Sequence, residues 1–137
     1  MKSTIDQIKL LNIPKVHDHR GKIAVVENDT IPFLIKRVYY LYDIPTDAYR
    51  GGHAHREQKS LLIALSGSFE VIVKDGKKTQ RIVLNKADKG LFIPSGIWRE
   101  IENFSSGSVC LVLASTIFSE QDYIRNYESY ISEKPDY

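Results

Sequence analysis

Short apolar runs separated by turn residues dominate the chain between residues 22 and 115. The runs are rich in Val, Ile, Leu, Tyr and Phe, and several alternate apolar with polar positions, which is the period of a β-strand. Many short strands joined by close, glycine-marked turns predict an all-β fold, an antiparallel sandwich or barrel. We predict strands at 22–27, 33–42, 59–67, 69–74, 80–85, 90–94 and 108–115.

Two further signals concern a turn and the C-terminus. Asp75-Gly76 follows the run FEVIVK and predicts a hairpin turn in which both central residues take positive φ. Only the C-terminal segment has a helical pattern, because the sequence from Ser119 to Asp122 resembles a capping box. A helix that begins there would carry on one face Tyr123, Tyr127, Tyr130 and Ile131. We expect this tyrosine stripe to pack against the protein rather than to bind a ligand.

Composition and charge narrow the class of protein. The 137 residues predict one domain, 1–137, and 42% hydrophobic with 26% charged residues is the composition of a globular protein. A net charge of +2 without a dense basic run argues against a nucleic-acid partner. No apolar run approaches the ~18 residues of a membrane helix, and the N-terminus does not resemble a signal peptide. The single cysteine, Cys110, lies in the run VCLVLA and predicts a buried thiol. Because one cysteine cannot form an internal disulfide, we expect a cytoplasmic protein.

The candidate chemistry begins at His53 and His55, within RGGHAHREQKS. In an extended strand both imidazoles point to the same face, because strand side chains alternate with period two. Such a pair can hold a metal, act as a catalytic pair, or be solvated without a function. The spacing alone leaves these alternatives open.

The residues around the histidines resemble the two-part signature of the cupin superfamily. Six positions stand at the spacing of that signature: His53, His55, Gly67, Pro94, Gly96 and Asn103. Ser60 occupies the position of the signature's glutamate, Arg99 that of the histidine in its second part, and Asp47 that of the leading glycine. The resemblance implies a cupin jelly-roll barrel with a short C-terminal helix.

Two of the four metal ligands of a cupin are therefore replaced. Arginine does not ligate, and its guanidinium repels a divalent ion. Two neutral imidazoles alone hold a metal poorly. Glu57 is the only nearby carboxylate that could substitute. We predict that the barrel binds neither a metal nor another cofactor.

Two histidines and several arginines suit a different chemistry. Histidine titrates near ~6.5 and can remove a proton α to a carbonyl and return it elsewhere. Arginines bind phosphorylated ligands through charge-assisted hydrogen bonds. Tyr39 lies two residues from Arg37 and therefore on the same side of its strand, where its hydroxyl could orient a carbonyl or an imidazole. The candidate arginines are Arg20, Arg37, Arg50 and Arg99.

Four segments carry a more specific pattern: KRVYY, RGxHxH, WRE and DYIRNY. With their surroundings, from about residue 5 to 131, they are similar to the TDP-4-oxo-6-deoxy-D-glucose 3,4-ketoisomerases. This resemblance implies an isomerase that moves a nucleotide-sugar ketone from C4 to C3 through an enediol, without a metal. It also implies a homodimer with exchanged N-terminal strands. The product would serve an aminotransferase that makes 3-amino-3,6-dideoxy sugars for surface glycans.

The resemblance also implies roles for the candidate residues. His53 matches the base that takes the C3 proton, and His55 matches the group that assists proton movement between oxygens and carbons. Tyr39 matches a tyrosine near the sugar. Arg37 and Arg50 match positions near the diphosphate and sugar.

Arg20 and Arg99 fall where members of the family differ. Arg99 resembles the branch whose product has the gluco configuration at C4, whereas Arg20 resembles the galacto branch. Because Arg99 occupies the former metal-ligand position, it should lie nearer the sugar. We therefore expect the gluco product, TDP-3-oxo-6-deoxy-D-glucose.

Three other functions are compatible with parts of this pattern. A metal-dependent cupin dioxygenase would need bound iron. A sugar-nucleotide 3,5-epimerase also uses a histidine base without a metal, but in longer chains with a different histidine–aspartate arrangement. A non-catalytic sugar-nucleotide-binding cupin would explain the lost ligands, but it gives no purpose to two histidines on one face.

Overall fold

A computed structural model describes residues 1–27 and 29–134, so that the last three residues of the predicted domain 1–137 lie outside it. Its only α-helix in the described part of the chain is α1, Tyr127–Glu133. The β-strands are β1 (Lys9–Asn12), β2 (Lys15–Asp18), β3 (Gly21–Ala24), β4 (Arg37–Leu41), β5 (Arg50–His55), β6 (Ser60–Ser66), β7 (Phe69–Lys74), β8 (Thr79–Leu84), β9 (Lys89–Ile93), β10 (Trp98–Glu102), β11 (Val109–Ala114) and β12 (Tyr123–Ile124).

The strands form two five-stranded antiparallel sheets and a separate hairpin. The first sheet has the order β1-β9-β6-β11-β4, and the second has the order β12-β5-β10-β7-β8. Strands β2 and β3 pair only with each other in the described part of the chain. Most neighbours within a sheet are not consecutive in the chain, which is the arrangement of a jelly roll.

The main core lies between the two sheets. The inward side chains of the first sheet include Leu62, Leu91 and Val112, and those of the second include Val71 and Ile101, all at most 5% exposed. Cys110 belongs to this core and is fully buried, as its apolar surroundings in the sequence predicted. Burial raises the pKa of its thiol to about 12, so the thiol stays protonated and unreactive.

Both sheets are also covered on their outer faces. Segments between residues 11 and 35 pack on the outer face of the first sheet, against Leu61, Ile63 and Phe92. This double burial explains why β6 is a continuous apolar run rather than an alternating one. On the second sheet, Tyr130 of α1 packs with Trp98.

The predicted all-β fold with a short C-terminal helix is confirmed, but several boundaries differ. Each of the seven predicted strands overlaps an observed strand. The sequence pattern did not include β1, β2, β5, β10 or β12 among its strands, because these segments are short, mostly polar or, in β5, interrupted by two glycines. Strand 22–27 ends at Ala24, because the chain then turns across the first sheet.

The predicted hairpin turn at Asp75-Gly76 is confirmed, because β7 and β8 pair across it, but its conformation differs from the prediction, and the predicted helix start was wrong. The β7–β8 connection spans four residues, and only Gly76 of the predicted pair has positive φ, +97°. The Asp75 carboxylate explains this longer loop, because it accepts hydrogen bonds from the backbone N–H groups of Lys77 and Lys78. Ser119 only precedes a short 3-10 turn, and its side chain makes no capping hydrogen bond there. The α-helix begins after Asn126, whose side chain accepts a hydrogen bond from the backbone N–H of Ser129.

The described residues contain no helix of the length and apolarity that crossing a membrane requires.

Candidate active site

A cavity of about 310 Å³ opens between the two sheets. Its apolar part is formed by Leu41, Leu62, Ile101 and Val112, which continue the core between the sheets. Its polar part consists of Tyr39, Arg50, His53, Arg99, Tyr123 and Arg125. Three arginines, a histidine and two tyrosines around one cavity suit an anionic ligand that also has a hydrophobic or sugar-like body.

A β-bulge determines which side chains of β5 reach this cavity. Arg99 of β10 pairs with His53, but Ile101 pairs with Arg50, so β5 contains one more residue than its partner over this stretch. In a regular strand, Arg50 and His53 are three positions apart and would face opposite sides. The extra residue, within Gly51-Gly52, resets the alternation so that both side chains line the cavity.

His55 faces the same way as His53 but lies one layer deeper. Its side chain is fully buried, and the two imidazole rings meet edge to face with their centroids 4.8 Å apart. The ring of Tyr123 covers both histidines, at 5.1 Å from His53 and 4.4 Å from His55. The cavity is therefore lined by His53, and His55 stands behind it.

His55 forms a hydrogen-bonded pair with Asp122. Its Nδ1 lies 2.8 Å from Oδ2 of Asp122, whose other oxygen accepts a 2.6 Å hydrogen bond from the backbone N–H of Glu57. Burial and the nearby Arg99 and other arginines hold the pKa of His55 far below its usual range. A neutral imidazole beside a carboxylate places its proton on Nδ1, which leaves Nε2 as a lone-pair acceptor.

Arg99, which stands at the sequence position of a cupin metal ligand, lines the cavity and is buried. It is 3% exposed, and its guanidinium donates 3.3 Å hydrogen bonds to Oγ of Ser60 and to the carbonyl oxygen of Ile97. Ser60 and Arg99, which replace two cupin ligands in the sequence, thus contact each other. Burial lowers the pKa of Arg99, although arginine still stays protonated at neutral pH.

Arg37 is linked to Arg99 through a buried hydrogen-bond chain. The Arg37 guanidinium donates to Oε1 of Gln58 at 2.5 Å, and Nε2 of Gln58 donates to Oγ of Ser60 at 3.0 Å. Arg37 also stacks over the Tyr39 ring, with 4.9 Å to its centroid. Arg37 therefore supports the cavity wall through Tyr39 and Gln58 and does not itself line the cavity. Burial raises the pKa of Tyr39, which remains a neutral phenol.

Arg20 is not brought to this cavity. It lies in the turn between β2 and β3, where its side chain is 80% exposed and pairs with Asp18 at 2.7 Å. Glu57, the carboxylate considered as a substitute metal ligand, is exposed and lines a different cavity. The described residues contain no group of three His, Cys, Asp or Glu side chains positioned to share a metal ion.

Sequence reasoning missed four residues of the site: Gln58, Asp122, Tyr123 and Arg125. Tyr123 was placed on a packing helix, but it pairs with His55 as part of β12 and lines the cavity. Arg125 stacks on the Tyr123 ring at 4.2 Å and is held by Glu120 at 2.7 Å. The one available signal was the segment DYIRNY, which contains three of the four residues.

Comparisons with known proteins agree with this geometry. Residues 6–135 match the family described as FdtA: WxcM-like, C-terminal. A TDP-4-oxo-6-deoxy-α-D-glucose-3,4-oxoisomerase of Aneurinibacillus thermoaerophilus is 43% identical over 123 residues, which cover 89% of this chain and 88% of the relative.

Two crystal structures have the same fold over nearly their whole length. A 3,4-ketoisomerase from Helicobacter canadensis is 44% identical, with a TM-score of 0.92 and coverage of 95% of this chain and 98% of the other. QdtA, a sugar 3,4-ketoisomerase of Thermoanaerobacterium thermosaccharolyticum in complex with TDP, is 39% identical, with a TM-score of 0.92 and 96% coverage of both chains. These matches confirm the fold and the family that the sequence segments indicated.

Proposed function

This chain belongs to the FdtA family of sugar-nucleotide 3,4-ketoisomerases, and on that premise we propose that it converts TDP-4-oxo-6-deoxy-D-glucose into TDP-3-oxo-6-deoxy-D-glucose. The observation that carries the proposal is the cavity in which a histidine base, His53, lies among three arginines, with a second histidine behind it. The chemistry requires a base at carbon, a path for protons between oxygens, and cations for a diphosphate.

The reaction balances as an internal transfer of hydrogen. His53 removes the proton from C3, and the electrons of that C–H bond form the C3–C4 double bond while O4 gains a proton. The resulting enediol then loses the proton on O3, the C3 ketone forms, and C4 receives a proton. Nothing is oxidised or reduced overall, so neither a metal nor a redox cofactor is required by the stoichiometry.

The surrounding side chains have distinct parts in this scheme. His55 accepts and returns the proton that moves between the two oxygens. Arg50, at the exposed side of the cavity, and Arg125 bind the diphosphate, whereas the buried Arg99 and Tyr39 contact the sugar. Arg37 holds Tyr39 by the stacking contact described above.

Replacing the base tests this assignment. His53→Asn should lower kcat by at least ~10²-fold, the usual contribution of an acid–base group, while TDP binding measured by calorimetry changes little. Val83→Asp, on the exposed outer surface of β8, is the matched control and should keep full activity. Near wild-type turnover by His53→Asn would contradict the assignment of the base.

We also propose that the product has the gluco configuration at C4. Arg99 stays protonated and is a poor proton donor, whereas a histidine at this position could protonate C4 directly. Arg20, the residue that resembles the galacto branch, does not line the cavity of its own chain and lies at the exposed end of a hairpin. After transamination by an aminotransferase that accepts the 3-ketone, a large H4–H5 coupling would indicate gluco. A small coupling would contradict this proposal and leave the isomerase function standing.

A homodimer with exchanged N-terminal strands is the proposed assembly. Among the described residues the β2–β3 hairpin pairs with neither sheet, and it exposes Val16 and Ile23 at 60% and 65%. Apolar side chains on such a hairpin need a cover, and a second copy of the chain supplies one. The double variant Val16→Asp/Ile23→Asp should sediment as a monomer at micromolar concentration, whereas Val83→Asp should stay dimeric. A monomeric wild type would exclude this assembly.

A further inference from the structure

The His55–Asp122 pair has a geometry that the proposed proton transfer does not by itself require. We propose that Asp122 is a positioning residue, which fixes His55 in the tautomer with its proton on Nδ1 and so keeps Nε2 available as a proton acceptor. This inference rests on the proposed ketoisomerase function for its kinetic consequence, but the tautomer itself can be observed without turnover.

Both oxygens of Asp122 are held in place. Oδ2 lies 2.8 Å from Nδ1 of His55, and Oδ1 accepts a 2.6 Å hydrogen bond from the backbone N–H of Glu57. A carboxylate fixed at both oxygens cannot rotate away from the imidazole without leaving a nearly buried acceptor unsatisfied, since the side chain is 9% exposed. The imidazole orientation is therefore set by the protein rather than by the substrate.

The segment that carries Asp122 is itself anchored to β5. The Arg56 guanidinium donates to the carbonyl oxygens of Gln121 and Tyr123, at 2.5 and 3.1 Å, and pairs with Glu133 of the C-terminal helix at 2.7 Å. The backbone N–H of Arg56 also donates to the carbonyl oxygen of Asp122 at 2.9 Å. Residues on both sides of Asp122 are thus clamped to the strand that carries His55, which keeps the pair in register.

The second ring nitrogen of His55, Nε2, has no partner in the described part of the chain that accounts for its burial. Nε2 is buried and has no hydrogen-bond partner among the described residues. Buried polar atoms are normally satisfied, so an exception needs a functional or structural reason. With Nδ1–H directed at Asp122, Nε2 carries a lone pair and is suited to accept a proton during the reaction.

Asp122 also offsets the electrostatic effect of the nearby arginines, which disfavours a protonated His55. When Nε2 accepts a proton, a buried imidazolium forms, while Nδ1–H stays bonded to Asp122 and the carboxylate remains ionised. The proton then leaves from the same Nε2 atom, so the pair returns to its starting state. The groups that face His55 are the cationic Arg37, Arg99 and Arg125, the rings of His53 and Tyr123, and the carboxylate of Asp122. Of these only Asp122 favours the charged form.

Asp122→Asn tests the proposal because the amide inverts the polarity of the contact. Its NH₂ group can donate to Nδ1, which moves the imidazole proton to Nε2, while its oxygen can still accept from Glu57. We expect kcat to fall by at least ~10²-fold, with KM changing less than about threefold, because binding groups are untouched. The acidic limb of the pH–kcat profile should move to lower pH, because the imidazolium that forms in the reaction loses its counterion and the pKa of His55 falls further.

A spectroscopic readout separates this role from a merely structural one. In ¹⁵N–¹H spectra of the full-length enzyme labelled at histidine, the buried His55 should appear as the Nδ1–H tautomer in the wild type and as the Nε2–H tautomer in Asp122→Asn. Asp122→Glu, which keeps the carboxylate, should recover part of the activity and the wild-type tautomer. Glu128→Gln, an exposed carboxylate on the C-terminal helix, is the matched control and should change neither quantity.

The tautomer and activity measurements can refute the role of Asp122 separately from the proposed ketoisomerase function. An Nε2–H tautomer in the wild type, or less than a threefold loss of kcat in a folded Asp122→Asn, would overturn the proposal. If Asp122→Asn fails to fold, as judged by circular dichroism, the wild-type tautomer and the activity of Asp122→Glu still decide it. A wild type that has the expected tautomer but no ketoisomerase activity would instead refute the proposed function.

Discussion

Replacing Arg99 by methionine should stabilise the ligand-free protein while it destroys activity. Arg99 is 3% exposed, and no ion pair in the described part of the chain includes it. Its two hydrogen bonds go to neutral acceptors at 3.3 Å, and its Nε is buried without a partner among the described residues. A buried cation costs several kcal/mol in lost solvation, which two long neutral hydrogen bonds do not offset.

Removing this uncompensated buried charge should raise the free energy of unfolding. Replacing buried charged groups with apolar ones of similar volume stabilises proteins by about 1–4 kcal/mol in favourable cases. For a domain of this size each kcal/mol raises Tm by roughly 3–5 °C, so Arg99→Met should raise Tm by about 3–20 °C. The same variant should lose at least ~10²-fold in kcat/KM, because Arg99 lines the cavity.

Thermal unfolding followed by circular dichroism checks the predicted rise in Tm, and activity measured on the same preparation checks the predicted loss of kcat/KM. Arg81→Met is the matched control, since Arg81 is a half-exposed arginine on β8 that pairs with Glu70 and Glu102 at the surface. We expect its Tm to change by no more than the equivalent of about 1 kcal/mol. A drop in Tm of several degrees for Arg99→Met would refute the reasoning and make Arg99 a structural support of the barrel.

Three further predictions concern pH, metal and the helix. Because His55 stays neutral in the folded state, the unfolded chain alone takes up its proton near pH ~6.5, and stability should fall from pH 7 to 5 by up to about 1.4 kcal/mol per unit. His55→Asn should flatten this slope in denaturant titrations, whereas His17→Asn, in the exposed hairpin, should not. Activity should survive exhaustive chelation, and a loss with EDTA that zinc, iron or manganese restores would revive the metal-dependent alternative. Tyr130→Phe should cost about 1–2 kcal/mol in unfolding free energy, because the buried hydroxyl donates its one hydrogen to the carbonyl oxygen of Gly96 at 2.8 Å, with that of Lys74 at 3.1 Å; an equal loss for the exposed Tyr40→Phe would contradict this reason.

Strong hydrophobic patterns predicted most of the fold. The runs that became β6, β7, β9 and β11 are buried on at least one face, so their composition reports their conformation. The strand β10 was missed because WREIE carries three polar residues, of which Arg99 points into the cavity. The sequence of a strand built around a polar site resembles that of a loop.

Strand periodicity predicted site residues only where regular alternation holds. His53 and His55 share a face as the period of a strand requires, but the β-bulge brings Arg50 to the cavity against that period. Asp122 pairs with His55 across 67 positions, through a two-stranded contact too short to leave a pattern. Long-range pairing of this kind is set by the packed fold and not by local sequence.

The most direct test of the proposed function is incubation of the wild-type enzyme with TDP-4-oxo-6-deoxy-D-glucose in D₂O, followed by NMR. The proposal predicts loss of the C4 ketone signal, appearance of a C3 ketone, and deuterium at C4 of the product, because C4 receives its proton from a group that exchanges with solvent. Unchanged substrate would contradict the proposal, and so would deuterium at C3 or C5 with the ketone still at C4 and an inverted centre, the result expected of an epimerase.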